Sequence, residues 1–324
     1  MMSGENPSSG TRNRGSDQKN AKTKAKDISS NRNPSTRWWW DAFGILLRAP
    51  SKSKASPLPP QVIIHQFSLE EIQKATNNFH NSLIIGFGGL DTVYKGYIDG
   101  GQKVVAIRWS RTTESRLCMA HELQSKKEIQ MKSSSAQNHV ASLIGYSETE
   151  SDMILVYDYM TNGTLHDHLH EPYRDPLPWK RRLQICIGAA QGLSHIHSIV
   201  KQTMLHRELK STNIWLDENW IPKVSEWVLF ADKESDRWSE EDQVSLAYWI
   251  KSCMRGNPAG CIDPFLVGRI SPDSLKTFIE TAGRCLLDHG NDRPSIADIV
   301  AKLEVALKQQ EAAEANKGAQ LMRS

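Results

Sequence analysis

The chain lacks several features that would place it in whole classes of protein. Its 324 residues include five cysteines, and no two form a Cys-x-x-Cys pair, so we expect free thiols in a reducing compartment rather than disulfides or a zinc site. No apolar run approaches the roughly 20 residues of a membrane-spanning helix, and no secretory signal is visible. No nucleic-acid recognition motif is present, so no nucleic-acid partner is predicted. These absences favour a cytoplasmic protein.

Positive charge is concentrated at one end of the chain. Residues 1–60 contain 11 Lys and Arg against 4 Asp and Glu, whereas the whole chain has 40 against 37. This part lacks apolar periodicity and is predicted to be a disordered basic tail. Within it, residues 38–47 include three consecutive tryptophans beside aliphatic residues. Such a segment suits peripheral contact with the plasma membrane, and the alternative is a short adhesive segment without a membrane role.

Residues 61–160 have the pattern of a helix followed by an antiparallel sheet. Ser68 and Glu71 form a predicted capping box, and apolar residues follow them at helical spacing. Five strands are predicted, two within residues 84–96 and one each at residues 103–108, 140–146 and 153–160.

Residues 161–315 are predicted to be mainly helical. Apolar positions at helical spacing recur within residues 165–169, 178–197, 271–286 and from residue 294 onward. Residues 316–324 are predicted to form a disordered tail. The sequence therefore predicts an α+β protein with a sheet-containing N-terminal part and a helical C-terminal part.

One stretch carries a distinctive set of polar residues. His206, Arg207, Lys210 and Asn213 keep the relative positions of the protein-kinase catalytic loop, which the stretch resembles. Together with the run Met-Ile-Leu-Val-Tyr-Asp-Tyr-Met and the run Leu-Pro-Trp-Lys-x-Arg-Leu, it makes the chain similar to the cytoplasmic kinase domain of plant receptor-like kinases, in the FERONIA-type, malectin-receptor branch. The resemblance covers about residues 66–315. It implies a two-lobed, protein-kinase-like fold and a serine/threonine kinase homologue.

The resemblance also implies where ATP and magnesium would bind. The residues expected to contact the nucleotide are Gly86, Gly88, Val93, Ala106, Arg108, Glu128, Asp158 and Met160. Those assigned to catalysis are Glu208, Lys210 and Asn213, and those assigned to magnesium are Asn213 and Glu226. Glu128, or alternatively Glu122, is expected to pair with Arg108. Without the resemblance, the glycine-rich turn would be an ordinary hairpin and the Arg108 pair a surface ion pair.

Four positions depart from the kinase pattern. Glu208 stands where the family has the Asp that accepts the hydroxyl proton, and Glu226 stands where it has the magnesium-binding Asp of Asp-Phe-Gly. Arg108 replaces a lysine that contacts phosphates, and Asp91 replaces the third glycine of the phosphate loop. A carboxylate near the phosphates would repel them. Because phosphoryl transfer depends on positioning and electrostatics, these changes are expected to impair it.

The interval after Glu226 is short. Only 16 residues, half of them charged, separate Glu226 from Gln243, where the family has the activation segment and a central hydrophobic helix. The resemblance therefore predicts a truncated C-terminal lobe that lacks both.

Two consequences are expected from this truncation. Arg293 should have lost its family partner and should be solvated or locally paired. The apolar face at Leu183, Ile187 and Ala190 should lose packing surface, which would leave the C-terminal lobe marginal or dependent on a partner.

The sequence thus supports the hypothesis of a pseudokinase that acts by protein interaction in receptor-kinase signalling, with active receptor-like kinases among its partners. The alternatives are a weakly active Ser/Thr kinase and a non-functional truncated product.

Overall fold

The computed structural model describes residues 64–87, 91–110, 119–120, 123, 139–171, 173–199, 210–225, 262–287 and 289–322. The chain divides into two compact units, residues 1–34 and 35–324, and every described residue belongs to the second. The predicted basic tail, its tryptophan segment and the predicted truncation after Glu226 lie outside the described residues.

The N-terminal lobe is built on a six-stranded sheet with the order β1-β5-β6-β4-β3-β2. Its strands are β1 (His65–Gln66), β2 (Ile84–Phe87), β3 (Asp91–Ile98), β4 (Lys103–Ser110), β5 (Leu143–Glu148) and β6 (Met153–Asp158). The five predicted antiparallel strands correspond to β2 to β6. The sheet has six strands rather than the predicted five, because β1 pairs in parallel with β5 and adds an edge strand. Two residues are too few to produce a recognisable alternation in sequence.

Helix α1 (Leu69–Ala75) covers one face of this sheet. Ser68 caps it: the Glu71 backbone N–H donates to the Ser68 hydroxyl at 3.2 Å, and the Ser68 N–H donates to the Glu71 carboxylate at 2.7 Å. The predicted capping box is therefore confirmed. Ile72 and Ala75 of α1 pack with buried residues of the strands, namely Tyr94, Val105, Ile107, Ile154 and Val156.

The opposite face of the sheet carries a second apolar cluster. Met119 and Leu123, which have helical backbone conformation, pack there with Leu143, Met153 and Leu155. The sheet is thus covered on both sides.

The C-terminal lobe contains four helices and a small two-stranded sheet among its described residues. They are α2 (Leu165–His170), α3 (Trp179–Ile199), β7 (Ile214–Leu216), β8 (Pro222–Val224), α4 (Pro272–Cys285) and α5 (Ile296–Leu321). Single 3₁₀ turns occur at Asn81–Leu83, Asp99–Gly101, Ser211–Asn213, Pro264–Leu266 and Gly290–Asp292. No helix in the described part of the chain is long and apolar enough to cross a membrane.

The last helix is longer than predicted. Helix α5 continues to Leu321, so the boundary predicted at residue 315 is wrong. Residues 316–320 are mostly exposed, so the extension has no apolar periodicity from which a helix could be predicted.

The face of α3 that was predicted to lose its packing is buried. Leu183 and Ala190 are fully buried and Ile187 is 8% exposed, in one cluster with Ile299 and Leu303 of α5. The expectation of lost packing surface at these positions is therefore wrong, because α5 packs directly on α3 and α4 packs on α5. The Trp179 indole N–H also donates to the Ser274 hydroxyl at 2.9 Å, which joins α3 to α4.

Arg293 is locally bonded, as one of the predicted alternatives states. Its Nε donates to the Leu287 carbonyl at 2.7 Å, and this site is exposed.

Two of the predicted free thiols lie in the core. Cys186 and Cys285 are both free and buried. Burial raises the pKa of Cys186, and it raises the pKa of Cys285 to about 12, so both thiols remain protonated near neutral pH. The other three cysteines lie outside the described residues.

A close backbone contact joins the segment before β5 to the C-terminal lobe. The Val224 N–H of β8 donates to the His139 carbonyl at 2.9 Å, and the Ala141 N–H donates to the Val224 carbonyl at 3.0 Å. Helix α3 passes beside this segment at Gly192, where an added Cβ would lie 2.4 Å from the His139 carbonyl oxygen. Only glycine allows this approach.

We expect Gly192→Ala to lower the free energy of unfolding by about 1–3 kcal/mol, because the clash with main-chain oxygen outweighs the better helix propensity of alanine, which is worth about 1 kcal/mol. Urea denaturation followed by tryptophan fluorescence measures it. Gly318→Ala in α5 is the matched control: nothing lies within 4 Å of the added Cβ, and a gain of about 0.5–1 kcal/mol is expected. Equal effects of the two substitutions would contradict the proposed contact.

Candidate nucleotide-binding site

Strands β3 and β4 place three of the predicted nucleotide-contacting residues on one face of the sheet. Val93 lies opposite Arg108, and Ala106 lies opposite both Lys95 of β3 and Tyr157 of β6. Since side chains alternate between faces, Arg108 and Ala106 share a face, while Val105 and Ile107 point into the α1 cluster on the other. Gly86 of β2 lies opposite Val93. The structure therefore brings Gly86, Val93, Ala106 and Arg108 together as predicted from the resemblance.

The side chain of Arg108 is bonded to Asp91. Its Nε donates to Asp91 Oδ2 at 2.7 Å, and its Nη2 lies 2.6 Å from the same oxygen. The Asp91 side chain is 5% exposed and the Arg108 side chain is 22% exposed. The residue in the position of the lysine and the residue in the position of the third glycine thus form an ion pair with each other.

The sequence analysis did not predict the Asp91–Arg108 pair, because it assigned the partner of Arg108 from the family pattern. The predicted partner, Glu128, and the alternative, Glu122, lie outside the described residues, so those pairings stay predictions. A signal was nevertheless present: the two departures carry opposite charges and flank the tight turn at Asp99–Gly101, which sets the antiparallel register of β3 and β4.

One buried hydroxyl lies beside the ion pair. Ser110 is directly opposite Asp91 in the β3–β4 register and is fully buried. Within the described part of the chain, its Oγ has no hydrogen-bond partner. This end of the sheet face is therefore polar and water-excluded, which strengthens the electrostatic interaction between Asp91 and Arg108.

The predicted hinge follows β6. Asp158 ends this strand opposite Val105, and its carboxylate lies 3.3 Å from the Lys103 ammonium in a pair that is 44% exposed on each side. Met160 is buried, and its carbonyl accepts a hydrogen bond from the Gly163 N–H at 3.1 Å. Gly163 has a φ of +69°, so a glycine is favoured there.

The hinge is bonded to the strand that follows the catalytic-loop motif. The Asn162 N–H donates to the Leu216 carbonyl at 3.1 Å, and the Leu216 N–H donates to the Gly163 carbonyl at 2.8 Å. The Asn162 side-chain amide also donates to the Asp217 carbonyl at 2.7 Å. These bonds connect the two groups of predicted site residues through β7.

Asn213 ends the 3₁₀ turn that precedes β7, and Lys210 lies immediately before that turn. The Asn213 N–H donates to the Lys210 carbonyl at 2.9 Å, and Asn213 is buried. The Asn213 carbonyl accepts from both the backbone N–H of Ser225, at 2.9 Å, and the Ser225 hydroxyl, at 3.2 Å. These two bonds connect the backbone at Asn213 to Ser225, the residue that follows β8.

Several predicted site residues cannot be placed on this framework. Gly88, Glu128, Glu208 and Glu226 lie outside the described residues, so their roles stay predictions. Among the residues that are described, no three His, Cys, Asp or Glu side chains form a group that could hold a metal ion.

The ion pair should be measurable as coupling between its two residues. We expect Arg108→Gln to lower the free energy of unfolding by about 2–4 kcal/mol and Asp91→Asn by less, because the carboxylate left by the first change is more buried than the guanidinium left by the second. A double-mutant cycle should give a coupling energy of about 1–3 kcal/mol. The exposed Lys103–Asp158 pair on the same sheet is the control, with an expected coupling of about 0–1 kcal/mol. Similar coupling in both pairs would contradict a buried, structural role for Asp91 and Arg108.

Comparison with known proteins agrees with this architecture. A family model described as protein tyrosine and serine/threonine kinase matches residues 79–252, which is more than half of the chain. In Arabidopsis thaliana, the receptor-like protein kinases FERONIA, ANXUR2 and ANXUR1 are 40%, 39% and 38% identical to this chain over 82%, 79% and 78% of its length. Each alignment covers 35% of the relative, so the chain spans about a third of the length of these curated relatives.

The lengths of these alignments indicate that the chain lacks residues present in its relatives. The FERONIA alignment has 315 positions, and 82% of 324 residues is about 266, so about 50 positions have no residue of this chain opposite them. The ANXUR2 alignment has 306 positions and covers 79% of the chain, about 256 residues, which again leaves about 50. With its kinase-like sheet, helical C-terminal lobe and matched family model, the chain belongs to the protein tyrosine and serine/threonine kinase family and is a homologue of the plant receptor-like kinases.

Proposed function

We propose that this chain is a pseudokinase, a kinase-family protein that acts by binding other proteins in receptor-kinase signalling and transfers no phosphoryl group. The observation that carries the proposal is the Asp91–Arg108 ion pair. Arg108 stands where the resemblance expects the cation that meets the nucleotide phosphates, and a carboxylate of the chain itself lies within 2.7 Å of it.

The residues present do not fit a nucleotide triphosphate at this point. Phosphoryl transfer requires positive charge and backbone N–H groups arranged around the phosphates. Here the charge of Arg108 is neutralised, and a phosphate in contact with Arg108 would also lie close to the Asp91 carboxylate, which is largely shielded from water. This misfit adds to the replacements at Glu208 and Glu226.

We also propose that the chain lacks an internal segment of the kinase domain, and the alignment lengths support this. About 50 aligned positions of FERONIA and of ANXUR2 have no counterpart in this chain. We assign this gap to the interval between Glu226 and Gln243, where the sequence has only 16 residues. The activation segment and the platform for a substrate peptide would then be absent.

A binding role needs a folded surface, and the packing of the C-terminal lobe supports one. Helices α3, α4 and α5 share a buried core, so the apolar face at Leu183 and Ala190 does not need a partner in order to be covered. This burial argues against the alternative of a non-functional product that cannot fold. We propose active receptor-like kinases as the partners, because the chain shares its fold with them.

One observation favours the alternative of a weak kinase. Asn213, one of the predicted magnesium ligands, is buried and accepts hydrogen bonds from Ser225, and Lys210 lies immediately before the 3₁₀ turn that contains Asn213. The assay below separates the two functions.

We expect the purified full chain to incorporate no phosphate from ATP and magnesium into itself or into a basic protein substrate above the level of Asn213→Ala. A radiolabelled transfer assay, with a FERONIA kinase domain as positive control, makes this measurement. Incorporation that disappears in Asn213→Ala would overturn the pseudokinase proposal.

The binding role is tested with a partner of defined identity. We expect the full chain to form a complex with a purified FERONIA-type kinase domain at micromolar concentrations, as seen by sedimentation velocity. An unrelated kinase domain of similar size and charge is the control. If the chain sediments independently of both, the proposed partner class is wrong.

A further inference from the structure

We infer that helix α2 carries a binding site for a divalent transition-metal ion, Ni²⁺, Cu²⁺ or Zn²⁺, with His166 and His170 as its protein ligands. These two histidines are four positions apart in the helix, and residues at this spacing lie on the same helix face. The inference does not depend on the proposed function, because neither histidine is among the residues assigned to nucleotide, magnesium or catalysis.

The distance between the two rings is close to that of two imidazoles bound to one ion. Metal–nitrogen bonds of about 2.0–2.1 Å, with an angle of about 90–110° at the metal, place the centroids of two imidazole ligands about 4.5–5 Å apart. The centroids of His166 and His170 are 4.3 Å apart, and the ring planes are inclined at 46°. A small rotation of the side chains therefore brings a nitrogen of each ring to a common ion.

The backbone that carries the two histidines is held at both ends of α2. The Asp167 N–H donates to the Thr164 hydroxyl at 3.2 Å, and the Thr164 N–H donates to the Asp167 carboxylate at 2.8 Å. The Glu171 N–H donates to the Asp167 carbonyl at 2.9 Å, and Leu165 is fully buried in the core. Ligands on a fixed backbone lose less conformational freedom when they bind an ion.

The His166 ring is oriented by a serine of the neighbouring 3₁₀ turn. Its Nδ1 lies 3.4 Å from the Ser211 hydroxyl. When Nδ1 carries the ring proton and donates it to Ser211, Nε2 keeps the lone pair that a metal ion requires. The site needs one nitrogen from each ring, and a metal-bound histidine ordinarily has a hydrogen-bond partner at its other nitrogen. Both His166 and His170 are partly exposed, so an ion can reach them from solvent.

The third histidine of α2 has a structural position instead. His168 is 8% exposed, its Nε2 lies 2.7 Å from the Asn162 carbonyl oxygen, and its ring contacts Trp220. Within the described ranges, no group of three His, Cys, Asp or Glu side chains could hold a metal, so water completes the coordination at His166 and His170. Such a site binds more weakly than a four-ligand structural zinc site. Imidazole nitrogen selects Ni²⁺, Cu²⁺ and Zn²⁺ over Mg²⁺, which prefers oxygen.

The experiment is a metal titration of the full chain without an affinity tag. We expect NiCl₂ and ZnCl₂ to bind in isothermal titration calorimetry with dissociation constants of about 10–100 μM. His166→Gln and His170→Gln should each weaken Ni²⁺ binding by about tenfold or more, because only one nitrogen ligand remains. MgCl₂ should give no signal that either substitution changes.

His80→Gln is the matched control. His80 is exposed, and its Nδ1 also lies near a serine hydroxyl, at 2.7 Å from Ser82 Oγ. The residues four positions before and after it are Thr76 and Ile84, so it has no histidine at the spacing of the α2 pair. We expect His80→Gln to leave Ni²⁺ affinity within about twofold. Far-UV circular dichroism checks that each variant is folded, and the titration of the natural chain is a test by itself.

Three results would overturn the inference: no binding of Ni²⁺ or Zn²⁺ to the natural chain at concentrations up to about 1 mM, Ni²⁺ affinity that neither α2 substitution changes, or an equal loss of affinity in His80→Gln. None of these results involves phosphate transfer or a protein partner. The inference and the proposed function can therefore fail separately.

Discussion

The candidate site depends on one electrostatic interaction, the contact between Asp91 and Arg108. An external phosphate must lose translational freedom to reach Arg108. Asp91 is already held nearby, because it lies two positions along β3 from Val93, the residue opposite Arg108, and its effective concentration at Arg108 is therefore high. Arg108→Lys alone would not make the cation available to a phosphate, because the lysine ammonium would still lie near the Asp91 carboxylate. The two departures from the kinase pattern therefore act as one element.

Much of the fold could be predicted from the sequence because periodicity and capping are local signals. The Ser68–Glu71 box and strands β2 to β6 appear where the pattern places them. The errors have physical causes. Strand β1 is held by pairing with β5 rather than by its own pattern, and α5 continues as a helix after its buried positions have ended, where the sequence has no apolar periodicity.

The resemblance assigns residues to the candidate site, but it does not predict their contacts. The resemblance located Ala106, Arg108 and Asn213, and the structure puts them on connected elements. The partner of Arg108 is a tertiary fact, since it follows from the β3–β4 register and from burial at Asp91. A family pattern assigns interaction partners by position, so it does not predict an ion pair in which both residues differ from the family, as in Asp91 and Arg108.

The same reasoning explains why the expected loss of packing at Leu183, Ile187 and Ala190 was wrong, whereas the catalytic consequences of the changed polar residues stay predictions. Packing is tolerant: α3 needs an apolar neighbour, and Ile299 and Leu303 of α5 contribute to the core that buries its face. Catalysis is not tolerant, because a displacement of about 1 Å at a reacting group can cost about a hundredfold in rate. A change of charged residues at a reacting site therefore affects chemistry far more than it affects the fold, as long as the apolar residues of the core are kept.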